Sequence, residues 1–159
     1  MNDSSHAALS RLDDRVAISE LLYEYAYCVD SNRLEALISL FTEDCVVAYG
    51  TNFGARGASE LRELMSGIPD YFAATSHHIS NITISFADAD HAAVRAVVYA
   101  WHRYTDARPD AIWLGYYRDR VARTGDGWRI SSLEMQTTGA SNHHVPERFQ
   151  IPFDRLPGV

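Results

Sequence analysis

Two places far apart in the chain carry residue types that could do chemistry together: Asp30, and the pair His77-His78. A carboxylate that hydrogen-bonds one ring nitrogen of a histidine fixes the tautomer. It also raises the basicity of the other nitrogen, which makes a general base near neutral pH. Asp30 ends a strongly apolar segment, where a carboxylate is costly unless it is paired or does work. The plain alternative is that it caps the next helix. His77-His78 enters a strand, and neighbouring strand residues face opposite ways, so one of the two points inward. If Ile79, Asn81 and Thr83 share a face, His77 lies on it and His78 on the other.

Tyrosines are the third candidate group. A phenol in an apolar wall can donate to a developing oxyanion. Of the nine tyrosines, Tyr23 falls about 20° from Asp30 on a helical wheel. Tyr49, Trp101 and Trp113 are expected to shape any pocket. Seven histidines raise the question of metal. His143-His144 with His102 could chelate in principle, but no H-x-x-x-H or H-x-[ED] spacing with a third ligand is evident, so no metal site is expected.

The composition removes whole classes. There is no lysine: all 14 basic residues are arginine, against 21 acids, for a formal net charge of −7. Schiff-base chemistry, a P-loop and a kinase-type lysine are excluded. Net acidity argues against nucleic acid and against an anionic membrane surface as partners. No apolar run approaches the length of a membrane span and no signal segment is evident, so a soluble, cytoplasmic protein is expected. Cys28 and Cys45 lie in apolar stretches and read as reduced core residues.

The elements that must position these residues follow from periodicity. Residues 1–11 read as a flexible lead-in. Asp13 or Asp14 can cap a helix running to about Val29, with Ile18, Leu21, Leu22, Tyr25 and Val29 on one stripe and Val16, Tyr23 and Tyr27 widening it. So apolar a helix should be largely enclosed. Arg33–Phe41 is a second helix, Cys45–Tyr49 a short strand, and Glu60–Met65 a third helix capped by Ser59. Four strands follow: His77–Phe86, Ala92–Tyr104, Ile112–Arg123 and Trp128–Thr138, the last two joined at Gly125-Asp126-Gly127. Arg118, Asp119, Arg120 and Arg123 read as the solvent face of an outer strand. Residues 141–159, with three prolines, Phe149 and Phe153, read as an extended tail crossing a pocket mouth or a neighbouring subunit. Helices first and a long antiparallel meander last predict an α+β domain over 12–140, with helices on one face of the sheet.

Three segments carry a resemblance: VAISELLYEYAYCVD (16–30) followed by LEALISLFTED (34–44); TSHHISN (75–81); and DGWRI (126–130). Together they resemble the SnoaL-like branch of the NTF2-like superfamily. That resemblance implies a curved antiparallel sheet wrapped around a long N-terminal helix, with two shorter helices, as a cone with an apolar pocket. It implies Asp30 and His77 as the acid/base pair, since His77 has the His-x-x-x-Asn spacing to Asn81. Five residues before the aspartate, the family position for a pocket tyrosine or lysine is held by Tyr25, whereas the wheel favours Tyr23. His102 is the residue that could stand in for the second histidine of scytalone dehydratase. An arginine that some members carry in the middle of the last strand is absent from Ser131–Met135; Arg129 lies near that strand's start.

The expected activity is that of a cofactor-independent lyase or isomerase, first a dehydratase, acting on a small to medium apolar molecule. His77 would take a carbon-bound proton, Asp30 would orient it, and Tyr25 or Tyr49 would assist the oxygen. The expected assembly is a homodimer or homotrimer. The competing reading is a non-catalytic binding or assembly protein of the same fold, which an Asp30 and His77 too far apart to bond would favour.

Overall fold

The computed structural model describes residues 3–50 and 53–143. Helix α1 (Asp3–Asp30) begins ten residues earlier than the expected cap. Asp14 is no cap: it lies mid-helix and is buried. It accepts hydrogen bonds from the Arg123 guanidinium and from Trp128 Nε1 (3.1 Å). The lead-in expected at 1–11 is therefore helical from Asp3 onward.

Helix α2 (Leu34–Ser39) follows a tight link in which Asn32 adopts φ +52°. Strands β1 (Phe41–Gly50) and β2 (Phe53–Arg56) form a hairpin, and α3 (Gly57–Ser66) and the single turn α4 (Ile68–Tyr71) carry the chain away from it. No side chain caps α3; the Glu60 carboxylate instead accepts from the Arg56 backbone N–H at 2.8 Å. Then come β3 (Phe72–Phe86), β4 (His91–Tyr104), β5 (Ala111–Thr124) and β6 (Gly127–Ser141).

The sheet order is β2-β1-β6-β5-β4-β3. The chain lays down one edge, crosses through α3 and α4 to the other, and meanders back until β6 meets β1. That closing pair is parallel, whereas every other neighbour pair is antiparallel. β5 is thus an inner strand, and the solvent-face reading of its charges fails at Asp119, which is 3% exposed.

The concave face is clearest in β4, where Ala92, Val94, Ala96, Val98, Ala100, His102 and Tyr104 are buried in strict alternation. Ile18, Leu21, Leu22 and Tyr25 of α1 pack into the same core. Val16, Tyr23 and Tyr27 do not widen that face, because all three lie about half exposed on the opposite side of the helix.

Two irregularities aim side chains. In β3 the register shifts between Ser80 and Thr83, with Asn81 at φ +51°. His77 and Ile79 share the inward face, but past the shift Ile82 and Ile84 take it over, and Asn81 and Thr83 are exposed. In β5 the register shifts at Leu114/Gly115, where a Cβ on Gly115 would sit 2.1 Å from the Gln136 carbonyl oxygen. Only glycine allows that approach. From residue 144 onward the expected tail, with Phe149 and Phe153, lies outside the described residues.

Candidate active site

At the open end of the cone, a cavity of about 170 Å³ lies between the last turns of α1, α3 and α4, and strands β3–β6. Its wall is mostly aromatic and aliphatic, with Phe72, Tyr104, Trp113, Met65 and Val29 among the lining residues. No arginine is among them. Arg129 instead donates to the Trp128 carbonyl oxygen.

Asp30 closes α1 and faces β3. His77 Nδ1 is 2.6 Å from Asp30 Oδ1, and Thr75 Oγ1 donates to the same oxygen at 2.8 Å. The backbone N–H of His77 donates to Oδ2 at 2.7 Å. Thr75 and His77 lie two apart on one strand face, so a single helix end meets both. Burial pushes the Asp30 carboxyl up, but the bonds from the His77 ring and backbone, with that from Thr75, outweigh it and hold the carboxyl below the ordinary value. With Nδ1 engaged, Nε2 is the ring nitrogen left for the cavity that His77 lines. His78 is on the other face, exposed, 3.3 Å from Ser76 Oγ.

His102 also lines the cavity, at 4% exposure. Its ring stands edge-on to that of His77, centroids 5.3 Å apart, and Trp113 lies 5.9 Å away. Burial first, and then the neighbouring His77 and His143, push its pKa down to about 3. It is a neutral imidazole, and its Nδ1 has no hydrogen-bond partner among the described residues.

Tyr25 and Tyr49 both line the cavity and join hydroxyl to hydroxyl at 2.7 Å, with Met65 Sδ 3.9 Å from the Tyr49 oxygen. Tyr117 packs edge-on against Tyr25 at 5.8 Å. Burial pushes all three phenols up, so they remain neutral donors. Tyr23 is 52% exposed and absent from the cavity wall. The wheel placed it beside Asp30 correctly in angle, but that arc faces solvent. Trp113 is a wall residue, whereas Trp101 lies elsewhere and donates to Asp110.

Three cavity residues were not foreseen as such, and one buried carboxyl behind them. Thr75 could have been found from its i−2 relation to His77. Tyr117 follows from the inward alternation of β5. His143 lines the cavity stacked on Trp113 (centroids 4.0 Å, 29°), and a strand running on to Ser141 is what brings it there. Asp119 lies two residues deeper than Tyr117 on the same face, both oxygens without a partner among the described residues. Burial alone pushes its carboxyl well above the ordinary value. Among the described residues, no group of three or more His, Cys, Asp or Glu side chains is arranged to hold a metal ion. No described helix is long and apolar enough to cross a membrane.

Comparison with known proteins places the fold. A family profile described as a SnoaL-like domain matches residues 10–134. A solved structure from Novosphingobium aromaticivorans, whose name assigns it provisionally to scytalone dehydratase, is 40% identical over 94% of this chain and 99% of its own, with TM-score 0.87. A hexachlorocyclohexane dehydrochlorinase, LinA type 2, shares the fold at 19% identity over 88% of this chain and 98% of its own, TM-score 0.79. The Mycobacterium tuberculosis protein Rv2910c, whose name states no function, is 28% identical over 80% of this chain and 88% of its own.

Proposed function

The chain belongs to the SnoaL-like family, and from that premise and the site geometry we propose that it is a cofactor-independent lyase, first of all a dehydratase, acting on a small, neutral, largely apolar molecule. The observation that carries this reading is the 2.6 Å His77–Asp30 pair set in the wall of an apolar cavity. Asp30 holds the proton on Nδ1, so Nε2 can take a proton from carbon next to a carbonyl or a leaving group. The resulting imidazolium sits against a carboxylate that is already ionised. Neutral His102 and the Tyr25–Tyr49 pair supply hydrogen bonds to the oxygen on which charge develops or which departs. The apolar walls exclude water and strengthen each of these bonds.

Among the described residues the lining carries no guanidinium, which suits a neutral substrate better than an anion. The name of the 40% identical Novosphingobium relative supports elimination of water over isomerisation or cyclisation, which the same base could also serve. The binding-protein reading needed the two side chains apart and turned from the cavity, and the distance does not favour it.

The test is turnover of a panel of β-hydroxy carbonyl and hydroxylated alicyclic compounds, followed by loss of water. His77→Ala is expected to lower kcat by about 10²–10⁴-fold on any substrate found, the usual range for a positioned general base. Unchanged turnover of a confirmed substrate would sink the mechanism.

A further inference from the structure

The walls of the cavity are not equally held. Strand β4 pairs with β5 without interruption from His91 to His102. The single turn α4 also contributes to the wall, through Ile68 and Tyr71. Yet none of its residues is fully buried, and Tyr71 is 39% exposed although it lines the cavity. The chain can bend on both sides of this turn. Before it, Gly67 ends α3, its N–H 3.3 Å from the Leu64 carbonyl oxygen. After it, the β3–β4 register shifts between Phe72 and Ala74, which leaves Ala73 out of the pairing.

Between these two points the turn is fastened by Thr105, just past the end of β4. Its backbone N–H donates to the Tyr71 carbonyl oxygen at 3.0 Å, and its hydroxyl donates to the Asp70 carbonyl oxygen at 3.1 Å. The hydroxyl bond is exposed, so water can take its place. We propose that α4 is a hinged flap over the cavity mouth. It swings about Gly67 and Ala73, is latched shut by Thr105, and opens to admit substrate and release product.

Opening breaks the two Thr105 bonds and uncovers the half-buried Ile68. It leaves the strands and the His77–Asp30 pair in place. Segments with few buried contacts and exposed backbone bonds open locally, at far less cost than global unfolding. Closing again sets Ile68 and Tyr71 against the ligand and shuts water out of the site where His77 Nε2 works. The flap belongs to the fold of the mouth and does not depend on the chemistry assigned to His77.

Hydrogen exchange of the full chain, followed amide by amide by NMR, tests this. The Asp70 and Thr105 amides should exchange together, and about 100-fold or more faster than that of Val98 in the middle of β4. Thr105→Val drops the hydroxyl and keeps the N–H bond. It should speed both amides about fivefold, and Thr105→Ser should restore them. Gly67→Ala is accommodated, since a Cβ there meets only the Leu64 carbonyl oxygen at 3.6 Å. By stiffening the hinge it should slow both amides about two- to fivefold. The neutral aromatic probe 2-naphthol, at about ten times its dissociation constant, should slow them about tenfold. His77→Ala should leave the exchange unchanged, so the flap and the proposed chemistry fail separately. Asp70 and Thr105 amides as slow as Val98, a Thr105→Val effect spread equally through β4 and β5, or no protection by 2-naphthol would each overturn the proposal.

Discussion

Asp14 and Asp30 are sixteen residues apart on one helix, about 24 Å along its axis. Both are drawn from water and both are held below the ordinary carboxylate value by hydrogen-bonded partners. They nevertheless do different work. At the closed end of the cone, Asp14 meets a guanidinium that is permanently charged and otherwise occupied. Arg123 also reaches Asp90, the Ala89 carbonyl and the face of Trp128. A guanidinium does not give up its proton, so the pair serves to tie α1 to the β5–β6 hairpin. At the open end Asp30 meets an imidazole whose second nitrogen is left for an apolar cavity. In the proposed mechanism, a buried carboxylate becomes chemical when its partner can exchange a proton and has a face turned to a cavity.

The sharpest way to break the comparison is to neutralise each aspartate. Asp30→Asn keeps the shape but presents an amide to His77, favouring the wrong tautomer. It should lower kcat by about 10²–10⁴-fold, while the urea midpoint moves little because Asp30 is only partly enclosed. Asp14→Asn should do the reverse, costing about 2 kcal/mol of unfolding free energy for the lost charge-assisted bond, with kcat unchanged. If both variants lost activity in proportion to stability, the two ends would not be separable as described.

Much of this division could be read from residue order alone. Ala92–Tyr104 was legible as one long strand, whereas its buried face, and with it the inward placing of His102, is seen in the structure. Asp30 and His77 were legible because a costly carboxylate and an inward histidine constrain each other. Other features depend on tertiary placement. Tyr23 and Tyr25 both suit an apolar helix, and only the side from which the sheet covers α1 separates them. Asp119 sits among Arg118, Arg120 and Arg123, which looks like a solvated strand until β6 is known to pair with β1 and make β5 internal. Asp14 looks like a cap because its partners, Arg123 and Trp128, are more than a hundred residues away. The shift at Asn81 depends on an unpaired backbone position, which no pattern of apolar residues marks.

Asp119 is a third case that sharpens the contrast, a buried carboxyl on the core face with no partner among the described residues. Its cross-strand neighbours are Val94 and Leu133. Because its folded pKa is raised above the unfolded value, its contribution to stability is fullest below the unfolded pKa. That contribution is lost as pH rises toward the folded pKa. Asp119→Val should therefore stabilise the protein by about 1–3 kcal/mol at neutral pH, and the gain should shrink as pH falls toward about 4, where the unfolded carboxyl is protonated as well. Asp119→Asn should remove the pH dependence while leaving two polar groups unsatisfied. Equal stability of wild type and Asp119→Val across pH 4–8 would mean that the carboxyl has a partner after all.

The smallest effect probes how finely Asp30 is held. Thr75→Val removes one of its three donors without changing side-chain shape, and both residues suit a strand. Because the Asp30 side chain is 24% exposed, water can replace part of the lost bond. The expected cost is about 1 kcal/mol, roughly fivefold. It should fall on kcat rather than KM, since Thr75 acts through the orientation of Asp30 and His77. Unfolding free energy should change by less than about 0.5 kcal/mol, the ordinary range for a site that leaves packing intact. Thr75→Ser, which keeps the hydroxyl, should recover the rate. A loss confined to KM, or no recovery with serine, would show that the methyl group against the ligand matters at this position and that two donors suffice to hold Asp30.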